Sequence, residues 1–238
     1  MYDSSSYDYI IAGAGAAGLS LVWRLLNSSV SFSNVLLVDE KLETDNSKTW
    51  CFWADSDYEL TPFIKKRWSH LQVRTGNSFI VSEENSYNYY AVSSGDFSRH
   101  ILDICRKSDS VDMVEGHIEE IRCDITNPEI SINDTTYQAN FIFQSCFYKT
   151  LKEPAYPLGQ HFIGWDIETP NNVFEESCVT LMDFDLNFDG NGTAFMYLLP
   201  WSEQKALLEY TIFSPDKEEK ALYERKIIDY LLNEYQLS

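Results

Sequence analysis

The sequence predicts an α/β protein in which a parallel sheet with a crossover helix is joined to an antiparallel sheet. Two observations predict it. A strand, a glycine turn, a helix and a second strand follow one another within the first forty residues. After them the alternation stops, and short strand-like runs with few helices take over.

The first element is Tyr9-Ile10-Ile11-Ala12, an apolar run of the kind buried in a parallel sheet. It enters Gly13-Ala14-Gly15-Ala16-Ala17-Gly18. Leu19, Val22, Trp23 and Leu26 then share one helical stripe, and the Ser-rich stretch from Asn27 to Ser33 forms a turn. Val35-Leu36-Leu37-Val38 is the second strand, ending in Asp39-Glu40.

Gly-x-Gly-x-x-Gly alone is weak evidence. Here it lies between strand and helix, and Asp39 stands 21 residues past Gly18. Gly13 permits the tight turn, Gly15 leaves room for a pyrophosphate, and Gly18 lets helix and strand approach. The helix start offers Ala14, Ala16 and Ala17 amides and a partial positive charge to phosphate. Asp39 or Glu40 accepts hydrogen bonds from an adenosine ribose and disfavours a 2′-phosphate, so FAD or NAD is expected over NADP. The bland alternative is a glycine-rich turn without a ligand.

Beyond residue 40, Thr49-Trp50-Cys51-Phe52-Trp53 precedes strand-like segments at Leu71–Val73, Phe79–Val81 and Tyr87–Val92. Ser94 looks like the N-cap of a helix carrying Phe97, Ile101, Leu102 and Cys105 to about Lys107. Strands are expected at Val111–Val114, Ile118–Arg122, Glu129–Ile132 and Thr136–Ala139, with Asn133-Asp134 as a turn. Ala139–Phe143 reads as a separate buried strand of the parallel sheet. A Pro-containing linker, Glu153–Leu158, marks a domain crossing. Four strands follow, at His161–Glu168, Cys178–Phe184, Ala194–Leu199 and Ala206–Phe213, the last two as a hairpin. Ser214-Pro215 suggests the start of an amphipathic helix bearing Tyr223, Ile227, Leu231 and Tyr235. Residues 1–57 and 93–153 are thus expected to form a dinucleotide-binding domain, and 58–92 and 154–238 an antiparallel one.

Composition narrows the function. The 238 residues suffice for a sizeable core, and a 44% hydrophobic fraction excludes a disordered chain. With 18 Lys+Arg against 37 Asp+Glu the net charge is −19, which argues against nucleic acid and against basic anchoring to an anionic membrane. Met1 to Ser6 lacks the features of a secretory signal, and the apolar stretch Ile10–Trp23 is too short to span a bilayer. Five scattered cysteines without Cys-x-x-Cys suggest reduced, mostly buried thiols in a cytoplasmic protein. The four histidines show no metal spacing, and no metal is assigned.

Six blocks then occur in a telling order. They are the glycine fingerprint, Lys48-Thr49-Trp50-Cys51-Phe52-Trp53, the run Gln160 to Glu168, Val179-Thr180-Leu181-Met182-Asp183-Phe184, Phe195-Met196-Tyr197-Leu198-Leu199-Pro200, and Ala206-Leu207-Leu208-Glu209-Tyr210-Thr211. Together they resemble the lycopene cyclases, in the version of carotenoid-producing Bacteroidetes. The resemblance implies a Rossmann-like FAD domain with an antiparallel substrate domain. It implies cyclisation of lycopene to β-carotene by way of γ-carotene, without net redox. It also implies reduced FAD, with NAD(P)H as electron source. Thr49 and Trp50 are candidate cofactor contacts.

Ring closure needs a proton delivered to C2 of the terminal double bond, a base for the proton leaving C6, and exclusion of water. Glu209 lies in an apolar run where desolvation raises a carboxyl pKa, and the resemblance places an essential acid there. The alternative is a solvent-facing glutamate. Asp183 is a second candidate, as base or proton partner, or else a structural hydrogen-bond acceptor. Asp166 and Glu168 alternate with apolar residues, as on a solvated face. Trp165, Phe195, Tyr197 and Tyr210 are candidates to line a polyene slot and stabilise a cation; otherwise they are ordinary core.

A flavin monooxygenase would carry an Asp-Gly pair where this chain has Gln144-Ser145-Cys146-Phe147. An isoprenoid reductase is a nearer alternative, separable by product mass. Flavoproteins of this architecture return to the FAD domain after the substrate domain, whereas the last glycine here is Gly192. The C-terminal return is therefore expected to be missing, leaving an inactive fragment or half of a split flavoprotein as a further alternative. A substrate drawn from a bilayer makes peripheral membrane contact the default.

Overall fold

The computed structural model describes residues 2–42, 48–55, 61–76, 78–82, 87–123, 126–146, 158–184, 188 and 190–237. Its elements are β1 (Tyr2–Ala12), α1 (Ala16–Leu26), β2 (Val35–Asp39), β3 (Thr49–Ala54), β4 (Ile64–Trp68), β5 (His70–Thr75), β6 (Ser78–Ser82) and β7 (Asn88–Ser93). There follow α2 (Ser94–Lys107), β8 (Val111–Glu115), β9 (Ile118–Arg122), β10 (Glu129–Ile132) and β11 (Thr135–Gln144). The chain continues through β12 (Gly159–Glu168), β13 (Cys178–Asp183), β14 (Thr193–Ser202), β15 (Lys205–Ser214) and α3 (Lys220–Tyr235). Two compact units result: residues 1–51, 62–65 and 91–151, and residues 52–61, 66–90 and 152–238. The linker expected at Glu153–Leu158 lies almost wholly outside the described residues.

The first unit holds a six-stranded sheet in the order β8-β2-β1-β11-β10-β9. The strands from β8 to β11 run parallel, and β11, β10 and β9 form an antiparallel meander. Ile10, Ala12, Leu36 and Val38 pack with Ile118, Ile121, Ile130 and Ile132. Each fully buried Val, Leu or Ile among them contributes about 1.5–3 kcal/mol over an exposed one. Asn133 and Asp134 take φ of 47° and 64°, the left-handed pair of a two-residue hairpin that joins β10 to β11.

Several expectations change here. The segments Thr136–Ala139 and Ala139–Phe143 are one ten-residue strand. Its lower half pairs with β10 and its length with β1, so one strand serves both ladders. That strand is not buried throughout: Phe141 is 62% exposed and Phe143 37%. Together with Tyr9 and Phe32 they form a surface row of rings 5.9–6.3 Å apart. Of the five cysteines, all free, only Cys105 is buried and Cys123 is exposed. Ser94 is the first residue of α2, not its cap. Its Oγ accepts the Lys48 amide at 3.2 Å, while its own amide donates to the Lys48 carbonyl at 3.1 Å.

The second unit holds a sheet in the order β12-β15-β14-β13-β5-β6. It is antiparallel except where β13 meets β5 in parallel. Pro200 has no amide to give to the ladder, and the register shifts between Pro200 and Ser202. Its carbonyl accepts Trp68 Nε1 at 2.9 Å. Strand alternation gives this sheet two distinct faces. Ala194, Met196, Leu198, Ala206, Leu208, Tyr210 and Ile212 pack against Tyr223, Ile227 and Tyr230 of α3. Leu207, Glu209, Thr211 and Phe213 point the other way.

Helix α3 begins at Lys220, five residues after Pro215. Ser214 is instead the last residue of β15, opposite Gly159, and its Oγ donates to the Asp216 carbonyl at 2.5 Å. The helix ends where Gln236 turns left-handed, with its amide on the Leu232 carbonyl and that of Leu237 on Leu231.

Candidate functional sites

The glycine turn of the first unit is built by β1, α1 and β2. Gly13 has φ +111°, and a Cβ there would stand 2.5 Å from Ser145 Oγ. Ser145 clasps the turn, donating from Oγ to the Gly13 carbonyl at 3.0 Å and from its amide to the Ala12 carbonyl at 2.8 Å. Gly15 is extended, at φ −78° and ψ −171°, a conformation open to any residue, and a Cβ there would meet nothing within 4 Å. Nothing internal to the protein calls for glycine at that position. Gly15, Ala16 and Ala17 are exposed, and the helix start has no side-chain cap. Its free amides therefore face open space, as a phosphate site requires.

Asp39 faces the same turn. Its Oδ2 accepts the Ala14 amide at 2.6 Å and its Oδ1 the Lys41 amide at 3.2 Å. Each carboxylate oxygen keeps acceptor capacity for a ribose hydroxyl. Glu40 is exposed and pairs with His117 Nδ1 at 2.8 Å, so Asp39 is the acid turned toward the glycines. Thr49 and Trp50 lie on β3, half-buried, with the Trp50 ring edge-on to Phe97 at 5.7 Å. The residues present thus fit a dinucleotide such as FAD: a pyrophosphate at Gly15 to Gly18 and a ribose at Asp39.

In the second unit Glu209 sits opposite Gly164 on β12 and opposite Tyr197 on β14. It is half-buried, and burial raises its carboxyl pKa above the ordinary range. Among the described residues no hydrogen bond or ion pair engages its carboxyl. Phe195 and Tyr197 share its face. Phe195 packs on Phe184 and Phe213 at 5.5 and 6.2 Å. The Tyr197 hydroxyl meets that of Tyr89 at 3.0 Å, and the Tyr89 ring lies 4.7 Å from Trp53. Tyr89 and Trp53 are the members that sequence reasoning missed, because nothing in their local pattern links β7 or β3 to β14.

The remaining candidates lie on the helix-covered face. Asp183 is completely buried, and its Oδ2 accepts both Arg74 Nη1 and the Tyr230 hydroxyl at 2.9 Å. Tyr210 is also completely buried, edge-on to Tyr223, its hydroxyl without a partner among the described residues. Burial, then Tyr223 and Glu218, push that phenol up to about 12. Trp165 packs into the same core. Glu209 is therefore brought together with Phe195 and Tyr197, and not with Asp183, Trp165 or Tyr210. Asp166 is exposed, and Glu168 pairs with Lys205 at 3.1 Å.

Among the described residues no cluster of His, Cys, Asp or Glu is arranged to hold a metal ion. Nor is any described helix long and apolar enough to cross a membrane.

Fold and glycine turn together define the dinucleotide-binding class of two-unit α/β proteins. Within it, the family model described as lycopene cyclase protein matches residues 8–236, and the chain belongs to that family. No curated protein matches the sequence. Among solved structures, the flavoprotein/dehydrogenase from Cytophaga hutchinsonii has a TM-score of 0.68 at 14% identity, over 98% of this chain and 64% of that one. A geranylgeranyl bacteriochlorophyll reductase-like protein from Thermoplasma acidophilum gives 0.69 at 12%, over 98% and 62%. The halogenase PltM in complex with phloroglucinol and FAD gives 0.62 at 13%, over 97% and 56%. At such identities the likeness is one of fold. The chain spans less than two thirds of the length of each of these structures.

Proposed function

We propose that the protein acts as a flavin-dependent lycopene β-cyclase, closing the ends of a linear carotenoid into β-ionone rings. The observation that carries this reading is the Glu209 carboxyl. It is half-buried and unpartnered among the described residues, on a sheet face shared with Phe195 and Tyr197. A carboxyl so placed stays protonated nearer neutral pH than an exposed one and can protonate a terminal alkene at C2. The neighbouring double bond closes on the resulting cation, and a proton leaves C6. One proton enters and one departs, so substrate and product have the same mass. The carboxylate left at Glu209 is the base on the same face, whereas Asp183 is held behind the sheet by Arg74 and Tyr230. Ring faces of Phe195 and Tyr197 stabilise the cation.

In this reading Gly15, Ala16, Ala17 and Gly18 hold the FAD pyrophosphate and Asp39 the ribose, while the amides of Gly13 and Ala14, expected at the phosphate from the sequence, donate instead to the Val38 carbonyl and to Asp39. FAD reduced by NAD(P)H supplies the electron-rich flavin that the reaction requires without net electron transfer. The substrate reaches the site from a membrane by peripheral contact.

The test is product analysis with lycopene and reduced FAD, using a polypeptide that contains this chain in full. A cyclic product of unchanged mass is expected, and none from Glu209→Gln, which should retain flavin. A product gaining hydrogens would replace this reading with an isoprenoid reductase. Undiminished β-carotene from Glu209→Gln would remove Glu209 from the chemistry.

A further inference from the structure

We infer that Gly164 is a positioning residue for Glu209: its missing side chain is the space across which the glutamate lies, and this sets where the carboxyl stands. The inference rests on the acid role proposed for Glu209.

Glycine weakens the interior of a strand, through backbone entropy and the lack of a side chain to pack. Gly164 nevertheless occupies the middle of β12. Its φ is not positive, so no left-handed conformation requires it. What does require it stands on the neighbouring strand. Gly164 is the direct partner of Glu209. A Cβ there would lie 2.8 Å from Glu209 Cγ, 3.2 Å from its Oε1 and 3.3 Å from Leu207 Cδ1. The side chain of Glu209 thus leans over the bare backbone of β12. On the other flank its partner is Tyr197, whose hydroxyl is tied to that of Tyr89 at 3.0 Å. The tyrosine fills one side and the glycine vacates the other, so the carboxyl has one place to go.

Any side chain at Gly164 must push Cγ away from the sheet. The first atoms of a side chain cannot swing clear as its tip can, so the carboxyl moves with them. Among the described residues, the ionisable and charged groups placed on this face by strand register or contact include Asp166 and Glu168 from β12, Tyr197 from β14, Tyr89 from β7 and Lys205 from β15. Lys205 is already paired with Glu168 at 3.1 Å.

The experiment compares wild type, Gly164→Ala and Glu209→Gln in a polypeptide containing the full chain. Carboxyl NMR titration follows the Glu209 resonance, identified by its loss in Glu209→Gln. In Gly164→Ala the displaced carboxyl is more solvated, so its titration should move toward the ordinary carboxylate range. Lycopene turnover should show kcat lower by about tenfold to a hundredfold, as an ångström-scale misplacement produces. KM should stay within about twofold, since the bulk of the substrate contacts remains. Activity that needs the acid form should also fail at lower pH than in wild type. An unmoved titration with unchanged kcat overturns the positioning role. Full turnover by Glu209→Gln overturns the acid assignment instead, and the titration still decides the placement. A thermodynamic cycle covers poor folding: Gly164→Ala should destabilise the wild type and cost much less in a Glu209→Ala background. Equal costs in both backgrounds overturn the inference.

Discussion

Asp183 and Glu209 project from opposite faces of one sheet. Asp183 meets the Tyr230 hydroxyl of α3 and the Arg74 guanidinium, each at 2.9 Å. Glu209 meets neither, and points with Phe195 and Tyr197 away from the helix. Two carboxylates in apolar strands therefore have different consequences when removed.

Asp183→Ala should be a stability variant. It strips the buried Tyr230 hydroxyl of its acceptor and leaves Arg74 with Glu234 alone, at 2.8 Å. Loss of about 2–4 kcal/mol is expected, as for breaking a buried charged network with one partly exposed partner. Urea denaturation measures it. A midpoint equal to wild type would remove the structural role given to Asp183.

Glu209→Gln should change how stability depends on pH. Burial holds the folded carboxyl pKa above its unfolded value. Between the two values the folded chain binds more protons, so wild-type stability declines as pH rises through that window. The glutamine variant does not titrate there. It should be the more stable protein at pH 7. Below the ordinary glutamate pKa of about 4.3 the two should converge. Melts in parallel buffers decide it, and a wild type that gained on the variant with rising pH would contradict the burial argument.

Gly15→Val and Gly18→Ala should separate ligand binding from folding. At Gly15 an added Cβ meets nothing, so the fold should tolerate valine while flavin is lost. At Gly18 it would stand 1.8 Å from the Gly13 carbonyl oxygen, so even alanine must force β1 and α1 apart. Circular dichroism and the bound flavin spectrum read the two effects. A flavin-bound Gly15→Val would refute the phosphate cradle.

Tyr210→Phe should be neutral or stabilising by about 1 kcal/mol, since it deletes a buried hydroxyl that has no partner among the described residues. It should leave lycopene turnover intact, because the ring lies in the α3 core and not beside Glu209. A large fall in kcat would return Tyr210 to the substrate site.

The strand–turn–helix–strand start was legible because each glycine obeys a local rule, and Asn133-Asp134 because a two-residue hairpin needs those left-handed conformations. Period two in β15 already implies that Tyr210 cannot share a face with Glu209, yet grouping residues by aromatic character hid it. Which face carried α3 was not legible, since Leu208 and Leu207 are alike in type and differ in what covers them. The start of α3 was misplaced because Ser214-Pro215 has cap chemistry, while the pairing of Ser214 with Gly159 keeps it in the ladder. Long-range pairings decide such cases: Tyr197 with Tyr89 spans 108 positions.

The aromatic row around Phe141 and Phe143 has a colloidal consequence on a chain of net charge −19. Like-charge repulsion keeps copies apart in dilute buffer, but its range shrinks from about 30 Å at 0.01 M salt to about 3 Å at 1 M. Attraction between exposed rings is not screened, and salting-out salts strengthen it. The polypeptide should be most monodisperse at low ionic strength, bind hydrophobic-interaction resin early in a salting-out series, and elute as the salt is withdrawn.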